Sequence, residues 1–173
     1  NVITQDGRWA ITNTDTVYDI ISVDAYRPPY IPSHMTTVEF FTALQNHLTE
    51  NGVVVINVGR APDDRRLVDA LYTTMIQVFP TVFISDLSES FNTILFATNQ
   101  PVTLKNFTDN YLLLHNSNSP SALLLDVMAS TYAGLQPSPE LTTVFTDDLA
   151  PIEGITNSMV LRFLLSDDLG DLR

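Results

Sequence analysis

The sequence contains no cysteine and few basic residues, and each shortage excludes a class of function. Without cysteine the chain forms no disulfide, no thiolate metal site and no cysteine nucleophile. Only 8 lysines and arginines stand against 20 acidic residues, which gives a formal charge of −12. A surface this negative repels phosphate backbones and anionic lipids, so we expect no nucleic-acid partner and no membrane contact from this segment. The same field favours a small cationic partner such as an amine, although solubility alone explains the charge equally well.

The sequence also lacks the segments that direct a protein into or across a membrane. No apolar run approaches the roughly 18–20 residues that span a bilayer. Residues 1–6 contain neither a basic region nor an apolar signal core. We therefore expect a cytoplasmic chain, with the reservation that a longer parent protein could carry membrane segments elsewhere. Because the chain does not begin with methionine, we expect it to be cut from such a longer protein.

Several catalytic signatures are missing as well. The sequence has no Walker loop, no G-x-S-x-G nucleophile elbow and no G-x-G-x-x-G fingerprint. The histidines, His34, His47 and His115, show no metal-ligand spacing. No metal cofactor is therefore expected.

The apolar residues, which make up 45% of the chain, alternate between strand and helix patterns. Residues 18–24 are almost continuously apolar, as expected for a strand that is covered on both faces. After a proline-rich loop, Thr36 precedes Glu39 at capping-box spacing, which predicts the start of a helix. Asn51-Gly52 is predicted to end that helix, since glycine tolerates the left-handed conformation of a C-cap.

A second strand-and-helix cycle follows the first. The β-branched run 53–58 predicts a strand, and apolar residues at three- and four-residue intervals over 67–79 predict an amphipathic helix that Pro80 ends. Strands over 81–85 and 93–98 are close enough in sequence to form an antiparallel pair.

The last part of the chain is predicted to be helical. Helices are expected over 123–132 and 157–165, with a loop at 136–139 between them. The order of the elements predicts one α/β domain, with a mostly parallel sheet, an antiparallel last strand and helices on both faces.

Ligands bind beyond the carboxyl ends of strands in open α/β sheets, which directs attention to three places. The first is Asp24, because a carboxylate at a buried strand end is costly unless it is paired or used; a loop cap is the alternative. The second is Gly59-Arg60, after the second strand. The third is Asp6, which could accept a hydrogen bond from an adenine amino group, although a helix cap is the better interpretation of this residue alone.

An acidic group follows near the end of the chain. Residues 146–153 include Asp147, Asp148 and Glu153, which could bind a metal or an amine. A solvated acidic loop is the better interpretation of this spacing alone.

Together these motifs resemble the polyamine aminopropyltransferases, the spermidine synthase family. The order and spacing agree across nearly the whole chain. The motifs are Asp6-Gly7-Arg8, the run from Tyr18 to Tyr26, Thr36 to Phe41, Asn51-Gly52-Val53, and Thr146 to Glu153.

The resemblance implies a methyltransferase-type Rossmann-like fold and a specific reaction. Members of the family transfer an aminopropyl group from decarboxylated S-adenosylmethionine to an amine and release methylthioadenosine. By resemblance, Asp6 and Gly7 bind the nucleotide, and Asp24 lies beside the sulfonium and the attacking amine. Tyr26 and the acidic residues Asp147, Asp148 and Glu153 would line the amine pocket. The co-substrate is the adenosyl nucleotide, and no tightly bound cofactor is implied.

Two departures separate this chain from the family pattern. The glycine-rich turn and the acidic residue that holds the ribose would lie upstream of Asp6, so residues 1–173 are expected to form the later portion of the catalytic domain. True spermidine synthases carry an acidic residue, taken as the base, three positions after Asp24. Here that position is Arg27, and a guanidinium cannot act as a base.

Two alternatives to aminopropyl transfer stay open. An S-adenosylmethionine-dependent methyltransferase on the same fold would tolerate the loss of the base, since methyl transfer often needs only proximity and orientation. A non-catalytic domain is the other alternative. Its exposed edge strand over 18–24 would pair with a second copy to form a homodimer.

Overall fold

The computed structural model describes residues 2–25, 31–88 and 90–165. The strands are β1 (Tyr18–Val23), β2 (Leu48–Gly59), β3 (Thr81–Asp86), β4 (Asn92–Thr98) and β5 (Leu135–Gln136). The helices are α1 (Gly7–Thr12), α2 (Val38–Asn46), α3 (Arg66–Met75), α4 (Leu104–His115), α5 (Ala122–Ala133) and α6 (Ile152–Leu165), with a short 3-10 turn at Ser33–Met35. Tyr26, Arg27 and the acidic tail 167–171 lie outside the described residues.

The strands form one sheet in the order β1-β2-β4-β3-β5. Strand β1 pairs with β2 in parallel, while β4 runs antiparallel to both of its neighbours. Because β4 opposes β2 and β3, those two strands point the same way, and the carboxyl ends of β1, β2 and β3 lie at one edge of the sheet. The predicted antiparallel strand is therefore confirmed. It is inserted between β2 and β3 rather than placed at the edge of the sheet.

One face of the sheet holds the core. Its alternate side chains on β2 and β4 are fully buried: Val54, Ile56, Val58, Leu95 and Ala97. Helices α2 and α3 cover this face and α6 packs against α3, with large buried apolar side chains that include Phe41, Leu71 and Ile152. Burying each such side chain stabilises the fold by roughly 1.5–3 kcal/mol relative to leaving it exposed.

The opposite face of the sheet is covered less completely. Val53, Phe83 and Phe96 point to this side and line a cavity of about 330 Å³ beneath α4. Helix α5 is attached to the same side, because the hydroxyl of Ser85 donates to the carbonyl of Thr131 at 2.9 Å. Helices therefore lie on both faces, as the sequence predicted.

The first helix-to-strand connection differs from the prediction. Helix α2 ends at Asn46, and Asn51-Gly52 lies inside β2 rather than at a helix C-cap. The pairing of β1 with β2 shifts register here, from Tyr18 opposite Leu48 to Ile20 opposite Val53. Asn51-Gly52 lies within this irregular stretch of β2, between the residues that pair with β1.

The start of α2 also differs from the prediction. The N-cap is Thr37, whose hydroxyl accepts the backbone N–H of Phe40 at 3.2 Å, whereas the hydroxyl of Thr36 donates to the carbonyl of Ser33. The predicted capping box between Thr36 and Glu39 is therefore wrong. Glu39 instead accepts the backbone N–H of Asp147 at 3.1 Å.

The remaining elements agree with their predictions to within a few residues. Helix α3 ends at Met75, before the predicted end at residue 79. Hydrogen-bonded turns then connect it to Pro80. Helices α5 and α6 begin earlier than predicted, and α4 and β5 were not predicted individually. In the part of the chain that the structure describes, no helix combines the length and apolar character needed to cross a bilayer.

Candidate functional site

A cleft of about 550 Å³ lies between α1, the second half of β1 and α2. Its walls are mostly apolar side chains: Ala10, Ile11, Ile21, Val23, Met35, Phe40 and Leu44. Gly7 and Asp24 also line it. The cleft lies along β1, the terminal strand of the sheet, so one of its sides is the unpaired edge of that strand.

Asp24 directly follows β1 at the carboxyl edge of the sheet. Its Oδ1 accepts the side-chain amide of Asn57, on the neighbouring strand β2, at 3.2 Å. The sequence predicted a buried strand end, but Asp24 is exposed. Its carboxylate is therefore hydrated, and it faces the cleft without the desolvation cost that a buried acid would carry.

Asp6 caps the N-terminus of α1. Its Oδ1 accepts the backbone N–H of Trp9 at 2.9 Å, and its Oδ2 lies 2.8 Å from Nε2 of His34. These contacts lower the pKa of the Asp6 carboxyl, the Trp9 N–H first and the His34 ring second. The helix-cap interpretation is confirmed, and the nucleotide-binding role of Asp6 stays a prediction.

Gly7 allows a close approach between α1 and the turn that precedes α2. A Cβ on this residue would lie 2.9 Å from the terminal methyl of Met35, which is itself buried. The contact is with the flexible end of a side chain, so a small displacement could relieve it. The packing nonetheless places the backbone of α1 directly against one wall of the cleft.

The acidic loop before α6 is joined to α1 by an ion pair. Arg8 donates from Nη1 to Oδ1 and from Nη2 to Oδ2 of Asp147, both at 2.6 Å. Thr37 adds a hydroxyl donor to Oδ1 of Asp147 at 2.8 Å. Arg8 also donates to the backbone carbonyl of His34 at 2.9 Å. Asp147 therefore holds α1 in place and is not a free carboxylate.

The electrostatics of this pair follow from its geometry. Two hydrogen bonds from Arg8 hold the pKa of the Asp147 carboxyl below its ordinary value, and the same bonds raise the pKa of Arg8. The pair is partly exposed, with the Asp147 side chain 43% accessible, so solvent screens much of the attraction.

The other predicted members of the amine loop are placed differently. Asp148 and Glu153 are exposed, and among the described residues neither belongs to the wall of the cleft. Glu153 lies in the first turn of α6, where its negative charge interacts favourably with the positive end of the helix dipole. Tyr26 lies outside the described residues. The predicted amine-binding roles of these three residues therefore stay predictions.

The second place singled out from the sequence, Arg60, has a structural role. Its Nε lies 3.5 Å from Oδ1 of Asp86 at the end of β3. Arg65 donates to the same carboxylate at 2.7 and 3.1 Å, and the Thr93 hydroxyl donates at 2.6 Å. Burial raises the pKa of Asp86, but the bonds from Arg65 and Thr93 outweigh it and the net shift is downward.

Sequence reasoning missed the roles of Arg8, His34 and Thr37. These residues approach one another only in the folded chain, and Arg8 and Asp147 are 139 positions apart. No periodicity or spacing rule links residues at such separations. Within 2–25, 31–88 and 90–165, no group of three or more acidic or histidine side chains converges in a way that could hold a metal ion.

Comparison with known proteins shows what the chain is similar to. No protein-family model matches it. A probable polyamine aminopropyl transferase of Bifidobacterium longum (strain NCC 2705) is 26% identical over an alignment that covers 99% of this chain and 41% of that protein. The chain thus spans about two fifths of the length of this curated relative.

Solved structures share the fold. A probable spermidine synthase from Corynebacterium glutamicum ATCC 13032 matches with a TM-score of 0.53 and 21% identity, covering 81% of this chain and 54% of that one. A spermidine synthase in complex with the transition-state analogue AdoDATO matches with a TM-score of 0.59 and 20% identity, covering 76% and 47%.

A methyltransferase structure shares the fold too. Human methyltransferase-like protein 13 in complex with SAH matches with a TM-score of 0.52 and 19% identity, covering 86% of this chain and 64% of that one. The α/β fold with a Rossmann-like, methyltransferase-type sheet is therefore confirmed. The curated relative bears out the resemblance to the polyamine aminopropyltransferases, and the solved spermidine synthases share the fold of this chain, which spans only part of their length.

Proposed function

We propose that this chain is the later portion of a catalytic domain that transfers an aminopropyl group from decarboxylated S-adenosylmethionine to a small cationic amine. The observation that carries the proposal is the cleft, which is lined by both Gly7 of α1 and Asp24, the residue that follows β1. The chain spans about two fifths of its curated relative, so the activity is assigned to a longer protein.

In the proposed reaction, the amine nitrogen attacks the aminopropyl carbon that is bonded to the sulfonium sulfur. A C–N bond forms, the C–S bond breaks, and the sulfur keeps the electron pair and leaves as the neutral thioether of methylthioadenosine. The carboxylate of Asp24 would lie beside the sulfonium and the amine, where a negative charge favours both cations. The amine attacks in its neutral form, so its ammonium must first lose a proton. That proton goes to solvent water, because Arg27 is a guanidinium without a free lone pair to accept it.

Asp6 is proposed to contact the adenine. Each oxygen of a carboxylate accepts up to two hydrogen bonds; Asp6 contacts the N–H of Trp9 and the ring of His34, and the backbone N–H of Arg8 also lowers its pKa. A lone pair is thus left for an adenine amino group. Asp6 lies beside the cleft in sequence, between Gln5 and Gly7, and among the described residues it is not itself one of the lining residues. The lowered pKa of Asp6 keeps it an acceptor throughout the neutral range.

The sheet edge formed by β1 is where we propose that the rest of the catalytic domain attaches. Strand β1 is terminal in the sheet, and Ile20 on it is 67% exposed. An exposed edge strand with an apolar side chain is normally paired or covered. We propose that an upstream part of the longer protein pairs with β1 and supplies the missing nucleotide-binding wall.

A thermal-shift titration tests nucleotide binding by this chain. The ligands are methylthioadenosine, decarboxylated S-adenosylmethionine and intact S-adenosylmethionine. A ligand at about 100 times its dissociation constant stabilises a fold by roughly 2.7 kcal/mol, which for a domain of this size raises Tm by roughly 5–10 °C. The proposal predicts a shift with the first two ligands. A shift with intact S-adenosylmethionine alone would support a methyltransferase instead, and a flat response to all three would contradict nucleotide binding by this chain.

A further inference from the structure

The cavity beneath α4 lies at the opposite end of the sheet from the cleft. Asp24 lines the cleft just beyond the carboxyl end of β1, whereas the cavity is lined by Val53 and Thr98, an opposed pair at the other end of β2 and β4. Among the described residues, none lines both spaces. The volume of about 330 Å³ is at the lower end of the roughly 300–1,000 Å³ typical of small-molecule sites, which suits a small ring compound.

The sheet side of the cavity is aromatic. Phe83 on β3 and Phe96 on β4 are directly opposed in the antiparallel pair, and both side chains are half-buried. Phe107 of α4 and Leu135 of β5 line the cavity as well. Phenyl rings attract another ring at centroid distances of about 4.5–7 Å, in offset or edge-to-face arrangements. The cavity therefore favours a ligand that contains an aromatic ring.

The polar part of the lining is uncharged. Asn51, Gln100 and Asn110 line the cavity, and in the part of the chain that the structure describes their side-chain amides form no hydrogen bond. Each amide offers donors and an acceptor side by side. Although the chain carries −12, no acidic or basic side chain among the described residues lines this space. A charged ligand would lose hydration here without gaining a counter-charge, so the lining selects a neutral one.

The helical side of the cavity is held to the sheet at two points. Where the chain approaches α4, the hydroxyl of Thr81 on β3 accepts the backbone N–H of Val102 at 3.1 Å. Near the end of α5, the hydroxyl of Ser85 on β3 donates to the carbonyl of Thr131 at 2.9 Å. A ligand that enters a preformed cavity does not have to order a mobile segment, which favours binding.

We propose that this cavity is a second binding site, for a neutral aromatic molecule that carries an adjacent hydrogen-bond donor and acceptor, such as a carboxamide or an amino-substituted heterocycle. The ring would lie against Phe83 and Phe96, and the polar edge would meet the amides of Asn51, Gln100 and Asn110. Asparagine and glutamine bind such edges through paired hydrogen bonds, as they do with adenine. Binding here does not depend on nucleotide binding in the cleft, so either site can fail without the other.

NMR titration of the ¹⁵N-labelled chain with benzamide tests this site. The side-chain amides of Asn51, Gln100 and Asn110 give signals of their own, so the spectrum reports where the ligand binds. Benzamide is expected to cause saturable shifts at these three residues with a Kd on the order of 1 mM, and no shift at Gly7 or Asp24 in the cleft. Benzoate has the same shape but is charged, and it is expected to bind at least about tenfold more weakly.

Three variants connect binding to the cavity. Val53→Phe is expected to fill the space and abolish the shifts. Asn110→Ala removes one amide from an exposed helical position and is expected to weaken benzamide about fivefold. Asn118→Ala is the matched control, since Asn118 is an exposed amide between α4 and α5 that does not line the cavity, and it should change the Kd by less than about twofold. Circular dichroism checks the fold of each variant.

Several results would overturn the proposal. The absence of saturable shifts with benzamide would do so, as would shifts confined to the cleft. Benzoate that binds as tightly as benzamide would show that the lining does not select neutral ligands. If Val53→Phe does not fold, the comparison of Asn110→Ala with Asn118→Ala decides, because equal effects of these two would show that the cavity amides do not contact the ligand.

Discussion

Arg8 and Asp147 form a bidentate ion pair between the first helix of the chain and the loop before its last, with both N–O distances at 2.6 Å. The pair joins α1 to Thr37 at the start of α2 through the shared carboxylate. Asp6 lies two positions before Arg8 and contacts His34, whose carbonyl also binds Arg8. The position of α1 against the cleft therefore depends on residues that come from three distant parts of the sequence.

A double-mutant cycle is expected to measure the strength of this pair. Arg8→Met, Asp147→Asn and the double variant should give a coupling free energy of about 1 kcal/mol in urea unfolding, because the bidentate geometry is favourable but the pair is partly exposed. The Lys105–Asp109 pair is the control, since it is more exposed and joins adjacent turns of one helix. Its coupling is expected to be about 0.3–0.5 kcal/mol. A coupling for Arg8–Asp147 no larger than the control would contradict a role in fixing α1.

The stability of the chain should fall as the pH is lowered through the acid range. The pKa values of Asp6 and Asp147 are below the ordinary value of 3.8 in the folded chain, so the unfolded chain binds protons first. Their contribution is complete above about pH 5 and is lost as the pH falls below about 4 and through the folded pKa values. Urea unfolding at several pH values should show this loss, and Asp147→Asn should make it shallower. Half-buried Asp69, whose pKa is raised by desolvation, acts in the opposite direction and offsets part of the loss.

Alanine substitutions at two glycines should change the free energy of unfolding in opposite directions. A Cβ at Gly134 would overlap the backbone carbonyl oxygen of Asp86, so Gly134→Ala must displace the junction between α5 and β3. We expect a loss of about 2 kcal/mol in the free energy of unfolding. Gly154 lies in α6. Among the described residues, no atom outside the adjoining helix backbone lies within 4 Å of the position that an alanine methyl would occupy, so Gly154→Ala should stabilise the chain by about 0.5 kcal/mol. Equal effects of the two substitutions would show that the tight contact at Gly134 is not present in solution.

Thr74 should contribute more to the stability of the fold than its small size suggests. Its hydroxyl accepts the buried backbone N–H of Phe145 at 2.9 Å and donates to the carbonyl of Ala70 at 2.7 Å. Thr74→Val keeps the shape but leaves the Phe145 N–H without an acceptor, which is expected to cost about 1–3 kcal/mol. Thr42→Val is the control, since Thr42 is exposed and bonds only within its own helix. A similar effect of the two substitutions in urea unfolding would contradict the role of this bond.

The sequence was sufficient for the elements whose signal is local. The amphipathic helix after Pro62 follows from burial on one face, and α3 lies where this pattern predicted. Strand β1 also lies where the apolar run predicted, but most of its residues are exposed, so the predicted coverage of this strand on both faces is wrong. Gly7 and Asp24, which the resemblance assigns to one site, both line the cleft, and their roles there stay predictions.

The sequence was insufficient wherever distant residues decide the outcome. Asn51-Gly52 carries a strong turn signal, yet β2 runs through it as an irregular stretch between the residues that pair with β1. Thr36 and Thr37 both fit the start of α2, and the contact of Thr37 with Asp147 belongs to the tertiary structure. Nothing local indicates that β4 inserts between β2 and β3, because strand order depends on how the connections pack.

Isothermal titration of wild type, Asp24→Asn and Asp19→Asn tests the central claim, that the cleft binds an adenosyl nucleotide with Asp24 beside its sulfonium. Asp19 is an exposed acid on the same strand, bonded to Thr49, and it does not line the cleft. Loss of one exposed charge near the sulfonium should cost about 1 kcal/mol, so Asp24→Asn is expected to weaken decarboxylated S-adenosylmethionine about fivefold. Neutral methylthioadenosine should be almost unaffected, and Asp19→Asn should change neither affinity. Equal weakening of both ligands by Asp24→Asn, or no effect on either, would contradict the account.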